Sequence, residues 1–170
     1  DVVGMCQEQR MPAVAITDTN NLFGGLEFSS SCAKAGIQPI IGCQVSISRK
    51  KSEDVSFGQK NVNECDTLVL LVQNDLGYRN LLKILGQAYL GHAGNDEISE
   101  EPQVSLEELR QYSDGLLALS GGPKGPIGHL LLRGQDKLAE ALLISLKQIF
   151  PERLYIEILR HGLVDQNQTE

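Results

Sequence analysis

No apolar run in this chain approaches the roughly 18 residues that a bilayer-spanning helix needs, and the N-terminus carries no signal-peptide pattern. Its four cysteines, Cys6, Cys32, Cys43 and Cys65, form no Cys-x-x-Cys pair. Each sits in or beside an apolar segment, so the expectation is buried free thiols in a reducing cytoplasm and no disulfide framework. Positive charge is also short: 15 lysines and arginines against 22 aspartates and glutamates leave a net charge of −7. Such a surface repels a phosphate backbone, which argues against independent DNA binding. No internal repeat is present. Gly121, Gly122, Gly125 and Gly128 do not follow the Walker spacing, because Lys124 comes too early for it; a tight strand-to-helix connection accounts for them.

What is present fits a single globular domain spanning residues 1–170, with 41% hydrophobic residues to build one core. Apolar runs of strand length alternate with segments of helical period, the pattern of an α/β fold with largely parallel strands. The pattern predicts strands near 13–17, 38–47, 67–73, 115–120 and 153–159. Helices are expected over 21–35, 75–90, 105–112 and 136–149, with a shorter one near 126–133. Asn20 or Asn21 is placed to cap the first of these helices, Gly36 to end it in a left-handed conformation, and Asp75 to cap the next. Ser105 and Glu108 have capping-box spacing, and Pro151 stops the last helix. Two polar stretches, 48–64 and 91–103, read as exposed loops with solvated charge.

In parallel α/β folds chemistry gathers at the carboxyl ends of the strands. Thr17 to Asn21, Gln44, Ser120 to Gly122, and Arg160 with His161 fall at such ends. One carboxylate, one imidazole, amides, hydroxyls and glycines make a poor set for holding divalent metals. Asp18, just before a helix, has the residue type and position of a cap or turn former. His161 reads as a surface histidine near the rim, and His92 and His129 lie outside any ligand spacing.

Two motifs carry more information than any of these residues singly. The segment Ala13-Val14-Ala15-Ile16-Thr17-Asp18-Thr19-Asn20-Asn21-Leu22-Phe23-Gly24-Gly25 is followed by Gly36-Ile37-Gln38-Pro39-Ile40-Ile41-Gly42-Cys43-Gln44-Val45. Further on come Asn74-Asp75-Leu76-Gly77-Tyr78-Arg79-Asn80-Leu81-Leu82, Gly115-Leu116-Leu117-Ala118-Leu119-Ser120-Gly121-Gly122, Leu131-Leu132-Arg133-Gly134, and Tyr155-Ile156-Glu157-Ile158-Leu159-Arg160-His161-Gly162. In this order the motifs closely resemble the PHP (polymerase and histidinol phosphatase) domain found in the α subunit of bacterial DNA polymerase III. The resemblance covers essentially the whole chain and implies part of a distorted (β/α)7 barrel. It also implies that the family's opening His-x-His strand and closing Asn-Asp segment are missing, which leads us to expect an exposed strand edge and self-association of this piece.

The resemblance implies degraded chemistry too. Metal-binding members have His at the position of Thr19, Glu at Gln44, His at Thr67 and, in polymerase members, often Cys at Gly122. Neutral amides and hydroxyls bind Zn²⁺ or Mn²⁺ far more weakly than imidazole, thiolate or carboxylate, and Gly offers no side chain. No catalytic or metal-ligating residue is therefore expected here, with Asp18 and His161 as remnant rim residues. The resemblance implies a non-catalytic domain of a cytoplasmic replicative polymerase whose nucleotidyl transfer, Mg²⁺ and DNA contacts belong to other regions. The implied partners are the proofreading exonuclease subunit and the rest of the holoenzyme. The alternative is a metal-dependent PHP phosphoesterase or 3′–5′ exonuclease using metal-activated water.

Overall fold

The computed structural model of the chain describes residues 2–48, 65–90 and 102–159. In chain order these form α1 (Val2–Glu8), β1 (Ala13–Thr19), α2 (Gly25–Ala35), β2 (Gln38–Ile47), β3 (Asp66–Val72) and α3 (Asp75–Leu90). There follow β4 (Gln103–Val104), α4 (Leu106–Tyr112), β5 (Leu116–Leu119), a 3-10 turn (Gly122–Lys124), α5 (Pro126–Leu132), α6 (Asp136–Ile149) and β6 (Leu154–Tyr155). None of the helices among the described residues is long and apolar enough to cross a membrane.

The six strands form one sheet in the order β1-β2-β3-β5-β6, with β4 beside β2. β1 and β4 run parallel to β2, and β6 runs parallel to β5. β3 is antiparallel to both β2 and β5, so it alone runs against the common strand direction. The α/β class with largely parallel strands is as expected. The reversal of β3 is not visible in its apolar pattern Thr67-Leu68-Val69-Leu70-Leu71, which is the same whichever way the strand runs.

Strand alternation gives the sheet two different faces. Cys43, Val45, Ile47, Leu68, Leu70, Leu116 and Ala118 point to the helix-covered side and are almost completely buried. Leu81, Ile84 and Leu85 of α3, Leu109 of α4, and Leu146 and Ile149 of α6 close over them with Phe150. A buried leucine here is a large term: truncating Leu70 to alanine would cost roughly 2–5 kcal/mol. A smaller cluster, Val3 and Cys6 of α1 with Cys32 and Ile37, packs around α2. Cys6, Cys32 and Cys43 are buried, Cys65 is half-buried, and all four are free thiols.

Several local expectations need correction. α2 begins at Gly25 with Gly24 at its N-cap, so neither Asn20 nor Asn21 caps it. At α3 the cap is Asn74, whose Oδ1 accepts from Gly77 N at 3.0 Å, while Asp75 lies within the first turn. The chain before residue 13 forms α1, and Gln103–Val104, expected as loop, extends the sheet as β4. The C-terminal strand is paired only over Leu154–Tyr155. Other end signals hold. Gly36 adopts φ 72°, Ser105 and Glu108 form the reciprocal capping box, and α6 stops before Pro151. The rest of the two expected loops lies almost wholly outside the described residues.

Candidate functional site

Register across the sheet decides which side chains can share a site. Thr19 stands opposite Gln44, Gln44 opposite Val69, Val69 opposite Leu119, and Leu119 opposite Tyr155. These five residues form one row on the face away from the main helical core. Thr67, opposite Ser46, is one step further toward the same end of the sheet and on that same face. Gly121 adjoins it, since a Cβ there would strike the Thr67 carbonyl oxygen. Three positions given as ligands by the resemblance, Thr19, Gln44 and Thr67, are thus brought together, and Gly122 follows the end of the neighbouring strand. His161 lies outside the described residues.

Asp18 does not join this set. It stands opposite Cys43 in the adjacent row, which faces the helices. Its Oδ2 accepts a hydrogen bond from Gly24 N at 2.9 Å, ordering the turn into α2. The structure therefore uses Asp18 as a turn former. Its period-2 offset from Thr19 is the reason it is on the other face. Beside it, burial pushes the Cys43 thiol up to about 11, against weaker opposing hydrogen bonds from the Asn21 and Asn20 backbones. A thiol held neutral in this way is a poor nucleophile and a poor metal ligand.

The end of the sheet is held by polar groups that local sequence patterns do not single out. Asn20, in a left-handed conformation at φ 55°, donates its backbone N–H to the Gln44 carbonyl at 2.8 Å. Its Nδ2 donates to Ser46 Oγ and its Oδ1 accepts from Ser46 N, each at 3.1 Å. Both residues are buried. Asn21 turns the chain locally: its Oδ1 accepts from Phe23 N at 3.0 Å and its Nδ2 donates to the Thr19 carbonyl at 2.7 Å. At the other end of the rim Glu157 Oε2 accepts from Gly121 N at 2.8 Å, and Glu157 N donates to Ser120 Oγ at 2.9 Å. The two partners of each cross-link lie 26 and 36 residues apart in sequence, so no short motif announces them.

The glycines of this region serve packing. A Cβ at Gly125 would meet the Ser120 carbonyl, and one at Gly128 would meet that of Gly122. This is the tight strand-to-helix connection expected for them. His129 of α5 is on the helix side, with Nδ1 3.8 Å from Asp66 Oδ1.

A divalent metal of the kind the resemblance implies does not fit these residues. The convergent positions offer two hydroxyls, one amide and no side chain at Gly122, while the nearby carboxylates of Asp18 and Glu157 already accept backbone hydrogen bonds. No group of three or more His, Cys, Asp or Glu side chains comes together among the described residues.

The profile of the PHP domain matches residues 1–161. The DNA polymerase III subunit alpha of Caulobacter vibrioides is 38% identical over 174 residues, covering 100% of this chain and 14% of that protein. The subunits of the same name from Borreliella burgdorferi and Thermus aquaticus are 33% and 36% identical, covering 98% and 93% of the chain. The chain thus spans only 12–14% of these relatives' own length. Among solved structures, an amidohydrolase from Chromobacterium violaceum, with bound sulfate and no metal, superposes with a TM-score of 0.58. It shares 16% identity and is matched over 99% of this chain and 74% of its own, a likeness of fold.

Proposed function

The chain belongs to the PHP domain family, and on that premise we propose that it is the PHP domain of a replicative polymerase α subunit, serving as a metal-free structural and docking platform. One observation carries the proposal. The positions at which the resemblance gives metal ligands hold Thr19, Gln44, Thr67 and Gly122, and the first three share one face at one end of the sheet. A phosphoesterase of this family would need a metal-activated water there. The donor chemistry supports no such step.

On this proposal nucleotidyl transfer with Mg²⁺, and the contacts to DNA, belong to other regions of the parent protein. The net charge of −7 supports that division, because it disfavours a phosphate backbone. The family resemblance supports docking of the proofreading exonuclease subunit. Two assays test the whole. The chain is expected to hydrolyse neither phosphomonoesters nor single-stranded DNA with Mn²⁺ or Zn²⁺ present, and to retain the cognate exonuclease subunit on a column. Metal-dependent hydrolysis lost on Asp18→Ala would refute the first half; failure to retain the exonuclease, with the fold intact by circular dichroism, would refute the second. Thr19→His alone is expected to restore neither metal binding nor hydrolysis.

A further inference from the structure

Residues 156–159 continue past the last ladder pair as an extended segment with alternating sides. Ile156 and Ile158 face solvent at 55% and 61% exposure, whereas Glu157 and Leu159 turn inward and are half-buried. From Tyr155 onward the chain meets the loop after β5 at three points. Ser120 N donates to the Tyr155 carbonyl at 3.0 Å, which carries the strand pairing beyond the regular ladder. Glu157 then closes a reciprocal pair, its N–H donating to Ser120 Oγ at 2.9 Å and its Oε2 accepting from Gly121 N at 2.8 Å. Leu159 covers Gly122: a Cβ there would be 2.9 Å from Leu159 Cδ1 and 3.3 Å from its Cγ. Gly121 and Gly122 both have positive φ, 77° and 57°, so the loop is wound tightly where the segment crosses it.

We propose that Ile156–Leu159 is a strap sealing the Gly121–Gly122 end of the rim, with Glu157 as its lock and Leu159 as its plug. The proposal rests on the metal-free reading of the rim and extends it. The position that the resemblance gives to a metal-binding cysteine is covered by an internal leucine, and the backbone N–H beside it is neutralised by the chain's own carboxylate. An ionised acceptor on a backbone N–H is among the stronger hydrogen bonds available to a protein. The strap therefore lets this end of the sheet hold its shape with no bound ion.

Amide hydrogen exchange by NMR on the chain tests this, comparing wild type with Glu157→Ala, Glu157→Gln and Leu159→Ala. In Glu157→Ala the amides of Gly121 and residue 157 are expected to exchange at least about tenfold faster, while Leu68 to Leu70 keep their protection. Glu157→Gln, which retains a neutral acceptor, should fall between, and Leu159→Ala should speed Gly121 and Gly122 alone. An unchanged Gly121 rate in Glu157→Ala overturns the strap. Equal acceleration of Gly121 and Leu68 to Leu70 in both Glu157 variants also overturns it, because the contact would then brace the whole fold. Runs in EDTA and in excess diamagnetic Zn²⁺ separate the two proposals. A change in wild-type rim rates between EDTA and Zn²⁺ would refute the metal-free reading, whereas an unchanged Gly121 rate in Glu157→Ala in EDTA and in Zn²⁺ alike would refute the strap alone.

Discussion

Replacing Asn20 by alanine should be among the most damaging polar substitutions in this chain. The side chain makes two hydrogen bonds to Ser46 at 3.1 Å, and both residues are buried. Removing it leaves the Ser46 backbone N–H without its acceptor where water does not reach, a penalty of about 1–3 kcal/mol. Residue 20 also holds φ 55°, a conformation that asparagine tolerates better than alanine and that costs alanine about 1 kcal/mol. Together these predict a loss of roughly 2–4 kcal/mol for Asn20→Ala. Glycine removes the same hydrogen bonds but accepts the positive φ, so Asn20→Gly should be less damaging by about 1 kcal/mol. Ser46→Ala keeps the backbone N–H of residue 46 bonded to Asn20 Oδ1 but leaves Asn20 Nδ2 without its acceptor, for about 1–2 kcal/mol. Urea unfolding followed by circular dichroism gives the ranking, with a midpoint shift for Asn20→Ala of about 1–2 M at a slope of about 2 kcal/mol/M. Equal stabilities for wild type and Asn20→Ala would refute the role of this cross-link, and Asn20→Gly falling below Asn20→Ala would refute the backbone part of the reasoning.

Other consequences follow from single features. Ser105→Ala should lose about 1 kcal/mol through the capping box of α4, visible as a urea midpoint shift that Ser105→Asp largely restores. Because the folded Cys43 thiol is raised from 9.0 to about 11, the unfolded chain ionises first; the stability this neutral thiol contributes is intact below pH 9.0 and declines as pH rises toward 11. Unfolding curves of wild type and Cys43→Ala should therefore converge across that window, and parallel curves would contradict the assignment. Among the described residues β1 pairs only with β2, leaving an outer edge of Ala13 to Thr19 that favours strand addition. Light scattering over a dilution series should accordingly detect self-association, reduced by Ala15→Lys on this edge; a concentration-independent monomer would show that the edge is satisfied.

The sequence made the larger elements legible because each carries its own periodic signal. β2, α3 and α6 come within a residue or so of their expected bounds, since long apolar patterns and Pro151 mark them locally. β4 escaped because two residues have no period; its place is set by pairing of Gln103 with Ser46 on a strand more than 50 positions earlier. α1 escaped for a similar reason, its buried side being only Val3 and Cys6. The direction of β3 depends on the topology of its connections, which its composition does not encode. At the rim, the strand pattern put Thr19 and Gln44 at carboxyl ends and the family resemblance added Thr67, and the register places all three on one face. The strand pattern also grouped Asp18 with Thr19, although adjacent residues of a strand point to opposite sides. Asn20 with Ser46, and Glu157 with Gly121, were invisible as pairs. Each is a contact between elements distant in sequence, and only the closed sheet brings the partners within reach.

We have proposed that this PHP domain holds its rim without a metal. Elemental analysis of protein purified without chelator, paired with thermal unfolding in the presence and absence of EDTA, addresses it most directly. Substoichiometric Zn and Mn and an unfolding temperature unaffected by EDTA are expected. One tightly held Zn or Mn per chain, whose removal lowers the unfolding temperature and whose binding is lost on Asp18→Ala or His161→Ala, would contradict it.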